Sequence, residues 1–391
     1  MPAQRRTAFA VALIVIAEAF GTSLWFSVNA VAESLQLGWG LDTGDIGHLT
    51  SAVQAGFIAG TFVFAISGLA DRFSASRVFG ACAVVGALSN AAFAGLQDWP
   101  TAALLMRFVT GLALAGIYPI GMKLVMSWAP ERAGQMLGWL VGMLALGSGL
   151  PHLIRGSSLQ FDWQLVLYCA SLLALIGGVA VAWQGDGPHH GQRSRMRWGG
   201  ILSAFGHRDF RAAAFAYFGH MWELYAFWAA APFLIIASGL AFGNAASLTT
   251  FAVFAGGALG CIVGGLISRR WGNARVALAA LAGSAAMCLI YPLLGDAPTM
   301  LSLAVLLAWG VFVVADSPQF SALAAAACDQ RDVGAALAMM NSIGFAISIV
   351  SIELALAWLS DIGPGVGWLL LPGPVIGLWV LRKGWRTGPA S

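Results

Sequence analysis

In the stretch YFGHMWELYAFW, residues 217–228, His220 and Glu223 stand three positions apart within an apolar run. That spacing puts both on one face of a helix. An imidazole beside a carboxylate can pass a proton or hold a polar solute, and Tyr217, Trp222, Phe227 and Trp228 supply rings around them. A second set, Glu18, Thr22, Trp25 and Asn29, recurs at helical intervals near the start of the chain. Arg107 is the cation set deepest in apolar sequence, and Asp316 and Gln319 flank Ser317-Pro318. Tyr118, followed by Pro119, and Asn341 are further polar candidates. If these runs lie in lipid, each charge costs roughly 2.5–3.5 kcal/mol on insertion scales, so such groups mark a pathway or an internal pair. The plainer reading is a set of polar groups that satisfy one another between packed helices. Burying several ionisable groups for that purpose alone is expensive, which favours substrate binding or proton coupling.

The same residues exclude other chemistry. The sequence has no H-E-x-x-H, no Walker loop and no G-x-S-x-G, the motifs that carry metalloprotease, nucleotide and acyl-transfer chemistry. His220 and Glu223 alone are too few ligands for a metal, and His189-His190 reads as a solvated pair in a polar loop. Cys82, Cys169, Cys261, Cys288 and Cys328 are odd in number and form no C-x-x-C, so they read as small buried hydrophobes. The expectation is no enzyme, no cofactor and no metal. No basic tract with interleaved aromatics calls for nucleic acid.

The elements that must position these residues are membrane spans. Of 391 residues, 59% are hydrophobic and 9% charged, against about a quarter charged in a soluble domain. Runs of about 20 apolar residues, enough to cross the hydrocarbon, fall near 8–32, 45–69, 77–97, 101–124, 134–155, 163–183, 210–237, 244–267, 275–294, 299–325, 333–359 and 365–382. Glycines (49) and abundant alanines suit helices that pack closely in lipid. With twelve spans and the N-terminus inside, 17 of the 20 Lys and Arg fall on cytoplasmic segments. Arg155 alone falls outside, and Arg107 and Lys123 lie within spans. The basic-inside rule then predicts both termini cytoplasmic in an inner cell membrane. The polar, basic stretch after span six predicts an N-terminal six-helix bundle over 1–185, a cytoplasmic linker over 186–208 and a C-terminal bundle over 209–391.

An internal repeat supports two related halves. SGLADRFSASRV (67–78) follows span two and GGLISRRWGNARV (264–276) follows span eight. The first resembles the loop signature of the major facilitator superfamily, glycine-x-x-x-Asp-Arg-x-glycine with basic residues after it. It keeps Asp71, Arg72 and Arg77, and departs at Ser67, Ser74 and Ser76. RFVTGLALAG (107–116) resembles that family's Arg-x-x-x-Gly pattern through Arg107 and Gly111. The resemblance implies an all-α membrane fold of twelve helices in two pseudo-symmetric six-helix bundles. It also implies alternating access at a central cavity and a gating role for Asp71, Arg72 and Arg77. In such a fold helices one and seven are mates, so Glu18 and Glu223 would approach a shared cavity from opposite halves. GMLALGSGLPHL (142–153) is rich in glycine but lacks the family's Gly-Pro pair, so it indicates no direction of transport. The expected function is secondary active transport of a small polar solute, anions included, coupled to protons. The alternative is proton-driven export of hydrophobic or cationic compounds. The partners are then a small-molecule substrate, protons and lipid, and a monomer suffices.

Overall fold

The computed structural model describes residues 3–68, 72–157, 162–189, 203–241, 243–329 and 332–384. The described residues form helices and turns with no strand. Twelve long helical segments follow in chain order: α1 (Ala3–Thr22), α2 (Thr43–Ser67), α3 (Ala75–Phe93), α4 (Pro100–Trp128), α5 (Ala133–Ser157), α6 (Gln164–Gln184), α7 (Arg208–Ala237), α8 (Asn244–Trp271), α9 (Asn273–Leu294), α10 (Thr299–Ala326), α11 (Val333–Ala357) and α12 (Leu359–Lys383). Ten of them are long and apolar enough to cross a membrane among the described residues. α1, with Arg5, Arg6 and Glu18, and α5 complete the set. Below, the near face is the end on which residue 3 lies, and the far face is the end carrying the α1–α2 connection.

Local chemistry sets the boundaries. Asp42 caps α2 by accepting from Asp45 N at 2.8 Å while Asp45 accepts from Asp42 N at 2.9 Å, a reciprocal capping box. Pro100 opens α4, where its missing N–H costs nothing. Two helices break at equivalent places. α4 turns irregular at 115–117, just before Tyr118-Pro119, and α10 breaks at Asp316, just before Ser317-Pro318. In each a proline removes a backbone hydrogen bond in the helix interior.

The first six helices pack by a pattern that the second six repeat. α1 lies on α5 and α6, as α7 lies on α11 and α12; α2 lies on α4, as α8 lies on α10; α3 lies on α4 and α6, as α9 lies on α10 and α12. The two sets meet through α2 against α11 and α5 against α8. Where helices touch most closely, the glycines are reciprocal. A Cβ at Gly56 would run into the Phe108 carbonyl and one at Gly111 into that of Val53, while Gly219 and Gly373 face each other in the same way. Lipid offers no hydrophobic drive between helices, so this close approach is what holds them together.

One expected element differs. The first apolar run does not continue as one helix to residue 32. α1 ends at Thr22, residues 23–28 form turns, and a short 3-10 piece (Asn29–Val31) leads into a helix over Ala32–Trp39. Hydroxyls compete for the backbone there. Thr22 Oγ1 donates to Glu18 O at 2.9 Å, Ser23 Oγ to Phe20 O at 2.6 Å and Ser27 Oγ to Leu24 O at 3.1 Å. Asn29 therefore leaves the helical register that Glu18, Thr22 and Trp25 suggested.

Candidate functional site

A cavity of about 30 Å³ lies at the seam of the two helix sets. Tyr118 of α4 and Val141 and Leu144 of α5 wall it on one side. Tyr217, Tyr225 and Trp228 of α7, Ser317 and Ser321 of α10, and Asn341 and Phe345 of α11 close the other. The breaks in α4 and α10 bring Tyr118 and Ser317 to it from symmetry-related positions. No charged side chain lines it among the described residues.

On its far side the cavity meets a layer of rings drawn from both helix sets. Trp25 stacks on Phe345 with centroids 5.6 Å apart and lies 5.1 Å from Phe57 and 5.5 Å from Tyr225. Phe57 and Phe345 approach to 4.4 Å, and Trp228 stacks on Phe254 at 4.8 Å. Phe26 meets Trp228 edge-on at 5.8 Å. Offset and edge-on ring pairs of this kind attract beyond their buried area. The indole N–H groups of Trp25 and Trp228, both fully buried, have no hydrogen-bond partner among the described residues. Towards the near face, a cavity of about 300 Å³ opens between α5, α8 and α10, lined by Trp139, Arg269, Asn273, Pro318 and Gln319 among others.

The ionisable candidates sit behind these walls. Glu18 is fully buried, and neither carboxylate oxygen has a partner among the described residues. It occupies space that Gly121 leaves, since a Cβ at Gly121 would collide with Glu18 Oε2. Gly121 lies one turn beyond Tyr118, so Glu18 stands just behind the cavity wall. Glu223 points the other way, into its own helix set. Its Oε1 accepts from Trp309 Nε1 at 2.6 Å, from Cys288 Sγ at 3.2 Å and, in a short contact, from Ser284 Oγ. Glu18 and Glu223 are thus each buried within their own set and are not brought together, and neither faces lipid.

His220 does not pair with Glu223 despite the i, i+3 spacing. Its Nδ1 lies 2.9 Å from Asp316 Oδ1, both residues being 1% exposed, and its ring sits between Tyr217 and Phe320. Asp316 is presented to it by the α10 break. Arg107, 0% exposed, reaches no carboxylate among the described residues. Its guanidinium donates to the carbonyls of Leu24 (3.3 Å) and Trp25 (2.6 Å), and to Asn90 Oδ1 at 3.0 Å. Those carbonyls belong to the turns that follow α1, so the arginine fastens the break. Asn29 bonds Thr50 Oγ1 at 2.9 Å, between the α1–α2 connection and α2. Gln319 donates to Ala315 O at 3.0 Å across the α10 break and lines the near-face cavity. Asn341 and Tyr118 line the central cavity and Trp25 roofs it. Of the gating trio, Asp71 lies outside the described residues, and Arg72 and Arg77 are exposed at the near-face start of α3.

Tyr225, Ser321, Phe57 and Phe345 have no place among the sequence candidates, whereas Trp228 is one of the rings the sequence sets around His220 and Glu223. Tyr225 and Trp228 lie in the opening dodecapeptide, where aromatic content is a signal. Ser284 and Trp309 are 61 and 86 residues from Glu223, and nothing local announces them.

The family model described as Major Facilitator Superfamily matches residues 6–352. A niacin transporter of Acinetobacter baylyi is 31% identical over 150 residues, covering 35% of this chain and 29% of its own. A 4-hydroxybenzoate transporter of Pseudomonas aeruginosa is 28% identical over 186 residues, 46% of this chain and 39% of its own. A quinolone resistance transporter of Acinetobacter baumannii is 32% identical over 131 residues, 33% of this chain and 29% of its own. The matched stretches thus span well under half of each relative. Among solved structures, a D-xylose-proton symporter superposes with a TM-score of 0.78 at 14% identity, covering 98% of both chains. A nucleoside transporter superposes with a TM-score of 0.72, also at 14% identity, covering 96% of this chain and all of its own.

Proposed function

The chain belongs to the major facilitator superfamily, and from that premise we propose that it is a secondary active transporter of a small ring-bearing carboxylate, working by alternating access with proton coupling. The observation that carries this reading is the central cavity. It is small, walled by rings and by hydroxyl and amide groups from both helix sets, shut off by stacked rings on one side and followed by a wider cavity on the other. Rings give a planar solute stacking surfaces. Tyr118, Ser317, Ser321 and Asn341 offer donors to a carboxylate without a fixed positive charge. Two of the similar carriers are named for niacin and 4-hydroxybenzoate, both aromatic carboxylates, which fits these walls.

Rocking of one half, 1–185, against the other, 209–391, would expose such a cavity to each face in turn. Both termini then lie in the cytoplasm of a cell whose inner membrane holds the chain, as the basic residues suggest. Glu18 is our candidate for the coupling proton. A buried carboxylate without a partner costs several kcal/mol while ionised, and carrying a proton removes that cost. Its position behind Tyr118 lets a solute in the cavity change that balance.

The test is uptake of labelled niacin and 4-hydroxybenzoate into proteoliposomes under an imposed pH gradient. The wild type should accumulate at least one of them, with Trp228→Ala and Asn341→Ala reducing uptake about tenfold, the loss of roughly 1.4 kcal/mol of transition-state binding. Glu18→Gln should keep solute counterflow while losing gradient-driven accumulation. Transport of neither solute by a folded protein rejects the substrate class. The uncharged cavity and the quinolone-resistance relative favour one second reading, export of a ring-bearing drug, which quinolone efflux from the same vesicles would reveal.

A further inference from the structure

His152 of α5 has no part in the site described above. It is 2% exposed and its Nε2 has no hydrogen-bond partner among the described residues. A buried imidazole nitrogen left unpaired costs about 1–3 kcal/mol, and its surroundings show what would pair it. His152 lines a second cavity, of about 40 Å³, on the far side of the aromatic layer. That is more than the roughly 10–15 Å³ one water requires. Asn29 and Glu33 of the α1–α2 connection, Ser247 and Thr250 of α8, and Phe233 of α7 complete the wall. The cavity is therefore polar on two sides and straddles both halves of the molecule, since α5 and the α1–α2 connection belong to one half and α7 and α8 to the other.

The charged and titratable groups around the imidazole are few. Glu33 is the one that lines the cavity with it. Arg155, one turn further along α5, is occupied with Ser34 Oγ at 3.0 Å. Among the described residues, α7 and α8 contribute no titratable side chain to the wall. The imidazole ring itself stacks on Phe254, centroids 5.6 Å apart, and Phe254 in turn stacks on Trp228 of the central cavity.

We propose that His152 is a far-face proton-binding site, with Glu33 as its counter-charge, whose protonation opens the cavity between the halves. A proton delivered from far-side water adds to Nε2 and yields the imidazolium. Every covalent bond stays intact, and the charge gained by the ring is matched by the Glu33 carboxylate. In the closed cavity that cation has little water and one anion. Parting of the walls hydrates it, so protonation favours the conformation open to the far face. Phe254, stacked on both His152 and Trp228, ties this site to the central one. The inference goes beyond the transport reading and can be tested without any solute.

Thr250 is 1% exposed and lines the cavity, so a cysteine there reports opening. Thr250→Cys should be labelled by a membrane-impermeant maleimide applied from the far face, in the presence and absence of His152→Gln. Dividing the two rates at each pH removes the thiol's own pH dependence. The ratio should rise about fivefold or more as pH falls from 8 to 5, and Glu33→Gln should move the midpoint to lower pH, because it removes the anion that favours imidazolium. A ratio that stays flat across this range, or a midpoint indifferent to Glu33→Gln, overturns the assignment. Uptake measured in parallel separates the two ideas. A pH-dependent ratio in a chain that carries no solute leaves His152 standing and rejects the transport reading, while coupled uptake with a flat ratio does the reverse.

Discussion

At the scale of single residues, the informative side chains are those whose partners the backbone selects. Asp186, just beyond α6, accepts from Ser76 N at 2.8 Å and Ala75 N at 3.2 Å at the near-face start of α3. Partial burial pushes its carboxyl up, but the backbone N–H groups of Ser76 and Ala75 and the hydroxyls of Ser76 and Ser74 outweigh that and hold it below the usual aspartate value. A helix start, rich in unpaired N–H groups, suits an anion. Since the folded-state value is depressed, the stabilisation is present above the unfolded value of about 4 and is lost as pH falls through the folded one. Asp186→Asn should therefore lower the thermal midpoint in detergent at pH 7, with the gap from wild type closing below about pH 4; a gap of equal size at both pH values would show that the charge is not what matters. Arg107 teaches the complementary lesson. A cation buried in apolar surroundings needs partners, and the sequence leaves a carboxylate, an anionic solute and backbone carbonyls all open for Arg107. The partners are backbone carbonyls set free by a break in α1, which the Thr-Ser-rich stretch 22–27 encodes only through hydroxyl competition. Burial was legible at this scale, and pairing was not, because the partners come from distant turns.

At the scale of elements, the apolar runs foretold the spans to within a few residues, apart from the first and last. Length and hydropathy fix a span in lipid, where no other structure satisfies the backbone. What periodicity could not show is where a helix gives way inside a span. α10 illustrates the cause. Pro318 has no N–H, so the Val314 carbonyl four residues earlier loses its helical donor. Cys261 Sγ of α8 donates to that carbonyl at 3.2 Å. A cysteine that reads from sequence as a small buried hydrophobe is thus the group that steadies the break presenting Asp316 to His220 and Ser317 to the central cavity. Cys261→Ala should cost about 1 kcal/mol, the worth of one such bond, visible as a lower unfolding midpoint. Cys261→Ser, which keeps a donor, should recover most of it. Equal loss in both variants would assign the effect to packing alone. The same logic explains why Tyr118 and Ser317 converge. Each precedes a proline in the mate of the other's helix, a correspondence that the loop repeat at 67–78 and 264–276 hinted at without locating.

At the scale of the whole molecule, alternating access requires that contacts shutting one face be weak enough to part. On the far face α2 and α11 come together around Gly47, where a Cβ would sit 3.3 Å from Leu356 Cβ. His48 Nδ1 lies 2.7 Å from Glu353 Oε2, with 61% and 31% of the two side chains exposed. This histidine–carboxylate contact joins the two halves directly. Exposed pairs contribute about 0–1 kcal/mol, so a latch of this type biases the equilibrium by a factor of a few and does not lock it. That modest strength fits the alternating access proposed above, in which this surface would part, whereas the ring layer beneath it closes off the central cavity. Both residues come to this seam from helices whose contact is long in sequence, and the spacing of His48 and Glu353 gave no sign of it. If the far face opens as alternating access demands, a disulfide placed across this seam should stop the cycle. The double variant His48→Cys/Glu353→Cys, oxidised in proteoliposomes, should lose solute uptake and regain it on reduction, while each single variant keeps uptake within about threefold of wild type, the change expected from removing a bond of well under 1 kcal/mol. Undiminished transport by the fully cross-linked protein would mean that α2 and α11 never part here, and the rocking of two six-helix halves would have to give way to motion confined to one of them.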